Sequence, residues 1–343
     1  MTTSKNNVLI IGTGGVGTIV AYGIHVAGKA NLSVVVRRDY QRVSKEGYKI
    51  NSVDYGEIKG WKPDHVYSSV EKASESKQVF QFVIITTKNI PDVMKPEELA
   101  APVITPGVTT VVLIQNGFDL GKPFIKKFPN NYCLSGVSHI GSHNHDGVIE
   151  HTGHDKEVIG YFDNPNFTKE QQKAKSEELI ALLANEKNTI VYFNDAKWWR
   201  YRKLVYNATL NTVCALTGLD VARLEFSGVL EKVSVPAMKE IVAIAKADGC
   251  ELPDGIVNEI AHCESGYFFE PSMLVDVKKG NPIELEVILG NVLNVAKELK
   301  VETPTLSLVY ELLKGVQYKL KEGQGLITVP KTYVSNDTHY SNV

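Results

Sequence analysis

The chain has 343 residues, 43% of them hydrophobic and 22% charged, and its formal net charge at pH 7 is -2. A chain of this length exceeds what one hydrophobic core usually organises, so we expect two domains. The near-neutral charge argues against nucleic acid and against an anionic membrane surface as partners. No run reaches the roughly 18 apolar residues of a membrane span, and no signal-peptide core precedes the first predicted strand, so we expect a cytoplasmic protein.

The cysteines give no sign of a metal site or of a disulfide framework. They are far apart in the chain and show neither a CxxC pattern nor a Cys/His ligand spacing. We therefore expect reduced thiols and no bound metal. The four residues are Cys133, Cys214, Cys250 and Cys263.

Strand and helix patterns alternate in the N-terminal half. The β-branched run 8–11 predicts a strand buried on both faces, 18–30 a helix, and 32–36 a second buried strand. Further strands are predicted at 79–86, 109–115, 132–140, 148–152 and 157–162. Strands separated by helices or long crossovers indicate an α/β fold with a doubly wound, Rossmann-type sheet, which we assign to residues 1–194.

The first strand leads directly into the sequence GTGGVG. A GxGxxG pattern alone is a weak signal, but this one follows a strand and opens a helix, which is the context of a dinucleotide site. The glycines permit a tight turn and close approach of a pyrophosphate, and the helix N-terminus supplies free N–H groups. The predicted cofactor-binding residues of this segment are Gly12, Thr13, Gly14, Gly15, Val16 and Gly17.

The end of the second strand selects between two cofactors. NAD sites usually carry an acidic residue there, which binds the ribose 2′-hydroxyl, whereas this strand ends in Arg37 and Arg38. A guanidinium pairs well with a 2′-phosphate, so NADPH/NADP+ is the expected cofactor. Alternatives are that the two arginines are only solvated side chains, and that Asp39 is the ribose ligand.

Polar residues also follow the strands at 79–86 and 109–115. Lys88 ends the sequence TTK, and Asn116 lies in QNG. Ligands of open α/β sheets bind outside the carboxyl ends of the strands, so both residues are expected beside the nicotinamide. The alternative is a surface lysine and a turn dipeptide.

The pattern becomes helical after about residue 194. Helices are predicted at 196–217, 228–249, 282–299 and 304–320, and strand signals disappear. We assign residues 195–330 to an all-α substrate domain and residues 331–343 to a flexible tail. The active site is expected between the two domains.

Polar residues recur every fourth position in the first of these helices. Lys203, Asn207 and Asn211 form one stripe on an otherwise apolar segment. Such a stripe either lines a wet cleft or belongs to a buried helix whose polar groups bind neighbouring backbone.

A second polar pair, Ser272 and Glu284, lies further along the chain. Ser272 precedes a short helical run, and Asn281, Pro282 and Glu284 have the spacing of a helix start. Simple capping and ligand binding are both open at this point, and one does not exclude the other.

Together these motifs resemble those of the ketopantoate reductases (2-dehydropantoate 2-reductases). The matching segments are GTGGVG, TTK, QNG, WRYRKLVYNATLN and SMLVDVKKGNPIELE, in the family's order, over roughly residues 7 to 320. The resemblance implies NADPH-dependent reduction of a 2-oxo acid, with ketopantoate as the expected substrate in pantothenate biosynthesis. It also allows a homodimer.

The resemblance implies a role for each residue of the site. Lys203 would be the general acid, and Glu284 would bind the substrate hydroxyl. Lys88 and Asn116 would lie near the nicotinamide. The residues expected to bind substrate are Asn207, Asn211, Ser272 and Asn116.

Two departures from the family pattern leave the substrate open. Phe269 stands where many members have asparagine, and the segment after Asn211 lacks a further asparagine found in some. One alternative is therefore a reductase of a different ketone, dicarbonyl or lactone. Another is a non-catalytic NADPH-binding regulator, although it would have no reason to retain the full polar set.

Overall fold

The computed structural model describes residues 5–145, 147–330 and 332. Within these residues ten strands form one sheet. The strands are β1 (Asn6–Ile11), β2 (Ala30–Val35), β3 (Tyr48–Ser52), β4 (Gly56–Trp61), β5 (His65–Tyr67), β6 (Phe82–Ile85), β7 (Thr110–Leu113), β8 (Cys133–His145), β9 (Val148–Tyr161) and β10 (Thr189–Tyr192).

Helices join many of these strands and supply the regular structure of the C-terminal half of the described chain. They are α1 (Gly15–Ala27), α2 (Tyr40–Glu46), α3 (Val70–Glu75), α4 (Pro96–Ala100), α5 (Gly121–Lys127), α6 (Lys169–Leu183), α7 (Ala196–Asn207), α8 (Leu210–Thr217), α9 (Val221–Phe226), α10 (Val235–Ala247), α11 (Ile256–Ala261), α12 (Ser272–Lys278), α13 (Asn291–Leu299) and α14 (Pro304–Gly323). A 3-10 turn lies at Ala101–Val103, and π-helical turns lie at Leu230–Ser234 and Glu286–Gly290.

The sheet is dominated by parallel pairs, as the α/β pattern predicted. Its order is β4-β3-β9-β8-β7-β6-β1-β2-β5, with β10 paired to β9. The antiparallel pairs are β8 with β9 and β3 with β4. The polar turns after β1, β2, β6 and β7 therefore all lie at one edge of the sheet, because these four strands are parallel neighbours.

Alternate residues of the central strands supply two separate cores, because successive side chains of a strand point to opposite faces. Leu9 and Ile11 belong to one core, and Val8 and Ile10 to the other. The core that contains Leu9 continues into the C-terminal helices, where it includes Leu204. One face of the sheet therefore packs directly against the helical region.

The predicted fold class is confirmed, with corrections to individual elements. The segments 148–152 and 157–162, predicted as two strands, belong to the single long strand β9, because they pair continuously with β8 around a bulge. The short strands β3, β4, β5 and β10 were missed, and none of them lies among the central strands of the sheet.

The helical second half also follows the prediction. Among the described residues after Tyr192, every regular element is a helix. No helix in the described ranges is long and apolar enough to cross a membrane. The domain boundary at 194/195 stays a prediction, and the predicted tail lies outside the described residues except for position 332.

The side chain of Arg200 joins this helical region to the sheet. It lies on α7 with 4% of its surface exposed. Its Nε donates to the Ser135 hydroxyl at 3.0 Å, and its two terminal nitrogens donate at 2.8–3.2 Å to backbone carbonyls. These carbonyls belong to Leu113, Gln115, Gly117 and Gly136, at the ends of β7 and within β8.

We expect Arg200→Met to lower the free energy of unfolding by about 3–5 kcal/mol, because five buried acceptors lose their donor at once. Arg202→Met is the matched control on the same helix. Arg202 pairs with Glu259, whose side chain is 56% exposed, so its loss should cost about 1 kcal/mol or less. Equal losses in urea unfolding would contradict a clamping role for Arg200.

Candidate active site

The GTGGVG segment forms the turn between β1 and α1 that its sequence predicted. Gly12 has φ +99, and a side chain there would approach the backbone nitrogen of Thr87 within 2.8 Å. A Cβ at Gly17 would overlap the Gly12 carbonyl oxygen, and one at Gly15 would overlap the backbone of Ser142. These three positions therefore require glycine because the backbone is closely packed.

Gly14 differs from its neighbours in this turn. A Cβ there would meet nothing within 4 Å, so this side of the turn faces open space. Gly14 also directly precedes the 13-residue helix α1, whose first turn carries no acidic residue. A free helix N-terminus that opens onto space suits a phosphate group.

The two predicted arginines lie in the turn between β2 and α2. Arg37 and Arg38 are both exposed. Asp39 is engaged elsewhere, since its carboxylate accepts from Asn144 Nδ2 at 3.2 Å and lies 3.8 Å from the Arg42 guanidinium. This arrangement disfavours Asp39 as a ribose ligand and leaves the exposed guanidinium groups at the sheet edge.

Lys88 bridges the two halves of the chain. Its Nζ lies 2.8 Å from Asp276 Oδ2 and 3.2 Å from Glu284 Oε2. The Lys88 side chain is 44% exposed, so burial opposes its charge only in part, and the two carboxylates hold its pKa above the usual range. Asn89 N donates to the other Glu284 oxygen at 2.9 Å. Lys88 therefore stays charged and fixes Glu284 against the sheet edge.

Lys203 and Asn207 lie on the same side of α7 and line one small cavity, together with Arg200, Gln115 and Gly117. The Lys203 ammonium donates to the backbone carbonyl of Ser138 at 2.5 Å. Burial lowers the pKa of Lys203 to about 8, which the nearby carboxylates partly counteract. At neutral pH most of the Lys203 side chain is still the ammonium, and it loses its proton at a pH only slightly above neutral.

The third member of the predicted stripe does not share that helix. The helix is interrupted at residues 208–209, and Asn211 lies on α8 instead. The Thr209 hydroxyl donates back to the Val205 carbonyl at 2.5 Å, a bond that competes with helical backbone pairing. The single continuous helix predicted at 196–217 is therefore wrong.

Asn211 holds the start of α12. Its Oδ1 accepts from Met273 N at 2.8 Å, and its Nδ2 donates to the Ser272 hydroxyl at 3.3 Å. Ser272 is the first residue of α12, and Pro271 occupies the cap position. The alternative of Ser272 as an N-cap is therefore wrong, and Asn211 caps this helix from another element.

The capping interpretation of Asn281 is also wrong. Residues 281–284 are not helical, and the next helical segment begins at Leu285. The reason is the carboxylate of Glu284, which binds Asn89 and Lys88 across the cleft instead of a local backbone group. The positions of Ser272 and Glu284 therefore allow the alternative of ligand binding, and the roles of both residues stay predictions.

The sequence did not single out Gln115 and Asn89, two polar residues at this edge of the sheet. Gln115 donates to the Thr87 carbonyl at 2.7 Å and accepts from Asn89 Nδ2 at 3.2 Å, which ties the ends of β6 and β7 together. Asn116, which was predicted instead, is half-buried and does not line the Lys203 cavity. The signal was available, because Gln115 is the first residue of QNG.

The arrangement has the parts that carbonyl reduction requires. A glycine turn suited to phosphate lies at the same sheet edge as a charged lysine, Lys88, and a second lysine with a lowered pKa, Lys203. A positioned ammonium can stabilise developing negative charge on oxygen and donate a proton to it.

Comparisons with known proteins identify the family of this chain. Residues 8–164 match the family model for ketopantoate reductase PanE/ApbA, and residues 195–317 match the model for its C-terminal part. An uncharacterized protein of Saccharomyces cerevisiae is 41% identical over 350 residues, covering 94% of this chain and 96% of the yeast protein.

Solved structures are similar over nearly the whole chain. The crystal structure of 2-dehydropantoate 2-reductase from Methylococcus capsulatus has a TM-score of 0.75 and 29% identity, covering 92% of this chain and 97% of that one. A ternary structure of D-mandelate dehydrogenase with NADH and anilino(oxo)acetate shares the fold, with a TM-score of 0.76, 20% identity, and coverage of 92% and 99%. On the matched segments and the yeast relative, the chain belongs to the ketopantoate reductase family.

Proposed function

We propose that this protein reduces a 2-oxo acid with NADPH, and that ketopantoate, reduced to pantoate, is its substrate. The observation that carries the proposal is the lysine pair of the cleft. Lys203, with a pKa lowered to about 8, lies close enough to Lys88 for the two charges to interact, and Lys88 is held charged by Asp276 and Glu284. When bound, the nicotinamide cofactor supplies the hydride.

The residues of this chain would bind the cofactor and complete the reaction. The Gly14 side of the turn and the α1 N-terminus would hold the pyrophosphate, and Arg37 and Arg38 the 2′-phosphate. As hydride reaches the ketone carbon, negative charge develops on its oxygen. Lys203 stabilises that charge and donates its proton, while Asn207, beside it in the cavity, orients the substrate.

The remaining predicted residues fit supporting roles. Ser272 would bind the substrate carboxylate or carbonyl, held in place by Asn211. Glu284 would accept from the substrate hydroxyl while Asn89 and Lys88 fix its orientation. Homodimer formation and cytoplasmic location stay predictions.

A reductase of a bulkier ketone is the second candidate. The three residues Tyr267, Phe268 and Phe269 precede Ser272 by only a few positions, and all three are exposed. The backbone of this segment is attached to α9, because Val221 N donates to the Phe269 carbonyl at 3.1 Å. An aromatic segment so close to a predicted substrate ligand favours a ketone with a large apolar group.

Arg37→Asp should weaken NADPH binding far more than NADH binding, because a carboxylate repels the 2′-phosphate. The measurement is fluorescence titration of both cofactors into wild type and variant. Arg42→Asp is the control, since Arg42 lies near Asp39 and outside the proposed phosphate contact. Equal affinity of the wild type for both cofactors would contradict NADPH selectivity.

Lys203→Ala should lower kcat by roughly 100- to 10,000-fold, the usual effect of losing a general acid, while NADPH still binds. In the wild type the same residue predicts the pH dependence. Since the pKa of Lys203 is about 8 and its acid form is the reactive one, kcat should fall as pH rises through about 8. Near-normal turnover of the variant would exclude Lys203 as the proton donor.

Glu284→Ala should penalise ketopantoate more than its deoxy analogue, because only ketopantoate offers a hydroxyl to this carboxylate. The measurement is kcat/KM for both compounds in wild type and variant. Glu284→Gln retains an acceptor for Asn89 and separates loss of charge from loss of the acceptor. Equal kcat/KM for the two compounds in the wild type would favour the bulkier ketone, which a panel of aromatic 2-oxo acids tests directly.

A further inference from the structure

Glu157 is a buried carboxylate outside the residues assigned to the reaction. It lies on β9 with 1% of its surface exposed. Neither of its carboxylate oxygens has a hydrogen-bond partner within the described part of the chain. Burying an unpaired carboxylate is costly, so such a group takes up a proton more readily and is ionised most easily beside an opposite charge.

The geometry of the sheet brings Glu157 close to Lys203. Glu157 is directly opposite Ser138 in the antiparallel β8–β9 pair. Directly opposed residues have Cβ atoms roughly 4.5–5.5 Å apart. The same residue, Ser138, accepts the Lys203 ammonium on its backbone carbonyl at 2.5 Å. Glu157 and Lys203 are therefore neighbours of one residue on β8.

The two cations that α7 brings to the sheet also favour a carboxylate nearby. Arg200 and Lys203 bring two cations to the sheet within one turn of α7, and the hydrogen bonds of Arg200 go to carbonyls and a hydroxyl, none of which carries charge. Glu284 is engaged by Lys88 and Asn89. Glu157 is the carboxylate near these two cations that lacks such a partner.

We propose that Glu157 is a positioning residue of the reductase, whose carboxylate, across from Ser138, stabilises the ammonium form of Lys203. The inference rests on the proposed function, in which Lys203 is the proton donor. Glu157 acts through Lys203 and need not touch substrate or cofactor.

The titration behaviour of the two groups supports this assignment. Burial lowers the pKa of Lys203, and the charge of Glu157 is the strongest effect that raises it again. Burial and the neighbouring Asp155 raise the pKa of Glu157 to about 8. Two interacting groups with such similar values titrate as a pair. The charged and titratable groups that face the pair are Arg200 on α7, His139 on β8, Asp155 on β9, and Lys88 and Glu284 across the cleft.

The first test is the pH profile of Glu157→Gln. Without the carboxylate the pKa of Lys203 should fall, so the decline of kcat/KM at high pH should begin about one pH unit lower than in the wild type. Glu157→Asp retains the charge and should stay closer to the wild type. Asp155→Asn, which removes a buried carboxylate from the same strand, should not move the decline to lower pH. Coincident declines in Glu157→Gln and wild type would overturn the inference.

A second test does not depend on activity, so it separates this inference from the proposed function. The titration of the Lys203 ammonium is followed by NMR in protein with 13C-labelled lysine, and Lys203→Met assigns its signal. In Glu157→Gln the titration midpoint should lie about one pH unit lower than in the wild type, because no carboxylate stabilises the ammonium as the pH rises. Glu157→Asp retains the charge, so its midpoint should stay closer to the wild type. An unchanged midpoint in Glu157→Gln would overturn the inference.

Discussion

The position of the proposed proton donor depends on the hydrogen bonds of one buried guanidinium. Arg200 donates to carbonyls at the ends of β7 and within β8, so it fixes α7 against the carboxyl edge of the sheet. Lys203 lies about one turn further along the same helix, and its ammonium reaches Ser138 on β8. Four of the five partners are backbone carbonyls, which cannot rotate away as side chains can, so they hold the guanidinium in one place.

The two lysines of the proposed site have surroundings that shift their pKa values in opposite directions. Two carboxylates, Asp276 and Glu284, keep the pKa of Lys88 high. Lys203 donates to an uncharged carbonyl and is half-buried near the charge of Arg200, so its pKa falls to about 8. A lysine that stays charged can bind neighbouring carboxylates and other anions. A lysine that titrates near neutral pH can donate a proton. The difference in role follows from the partners, because the residue type is the same.

The parts of the site that the sequence predicted are those set by neighbouring residues. The strand, the glycine turn and helix α1 follow one another in the chain, and close packing makes glycine necessary at Gly12, Gly15 and Gly17. Lys88 lies three positions after the end of β6, and parallel pairing brings that strand end to the same edge as the glycine turn. Periodicity and turn chemistry act over a few residues, so they can be recognised without the fold.

Other parts of the site depend on partners distant in the chain, and only the tertiary structure decided them. Asn211 reaches Ser272, 61 positions away, and so caps a helix instead of continuing the stripe. Glu284 binds Lys88 across 196 positions, which removes it from the local capping pattern. No sequence period marks Arg200 or Glu157, since each is defined by the strand groups that surround it. Burial favours a partner for each polar group, and packing determines which partner is within reach.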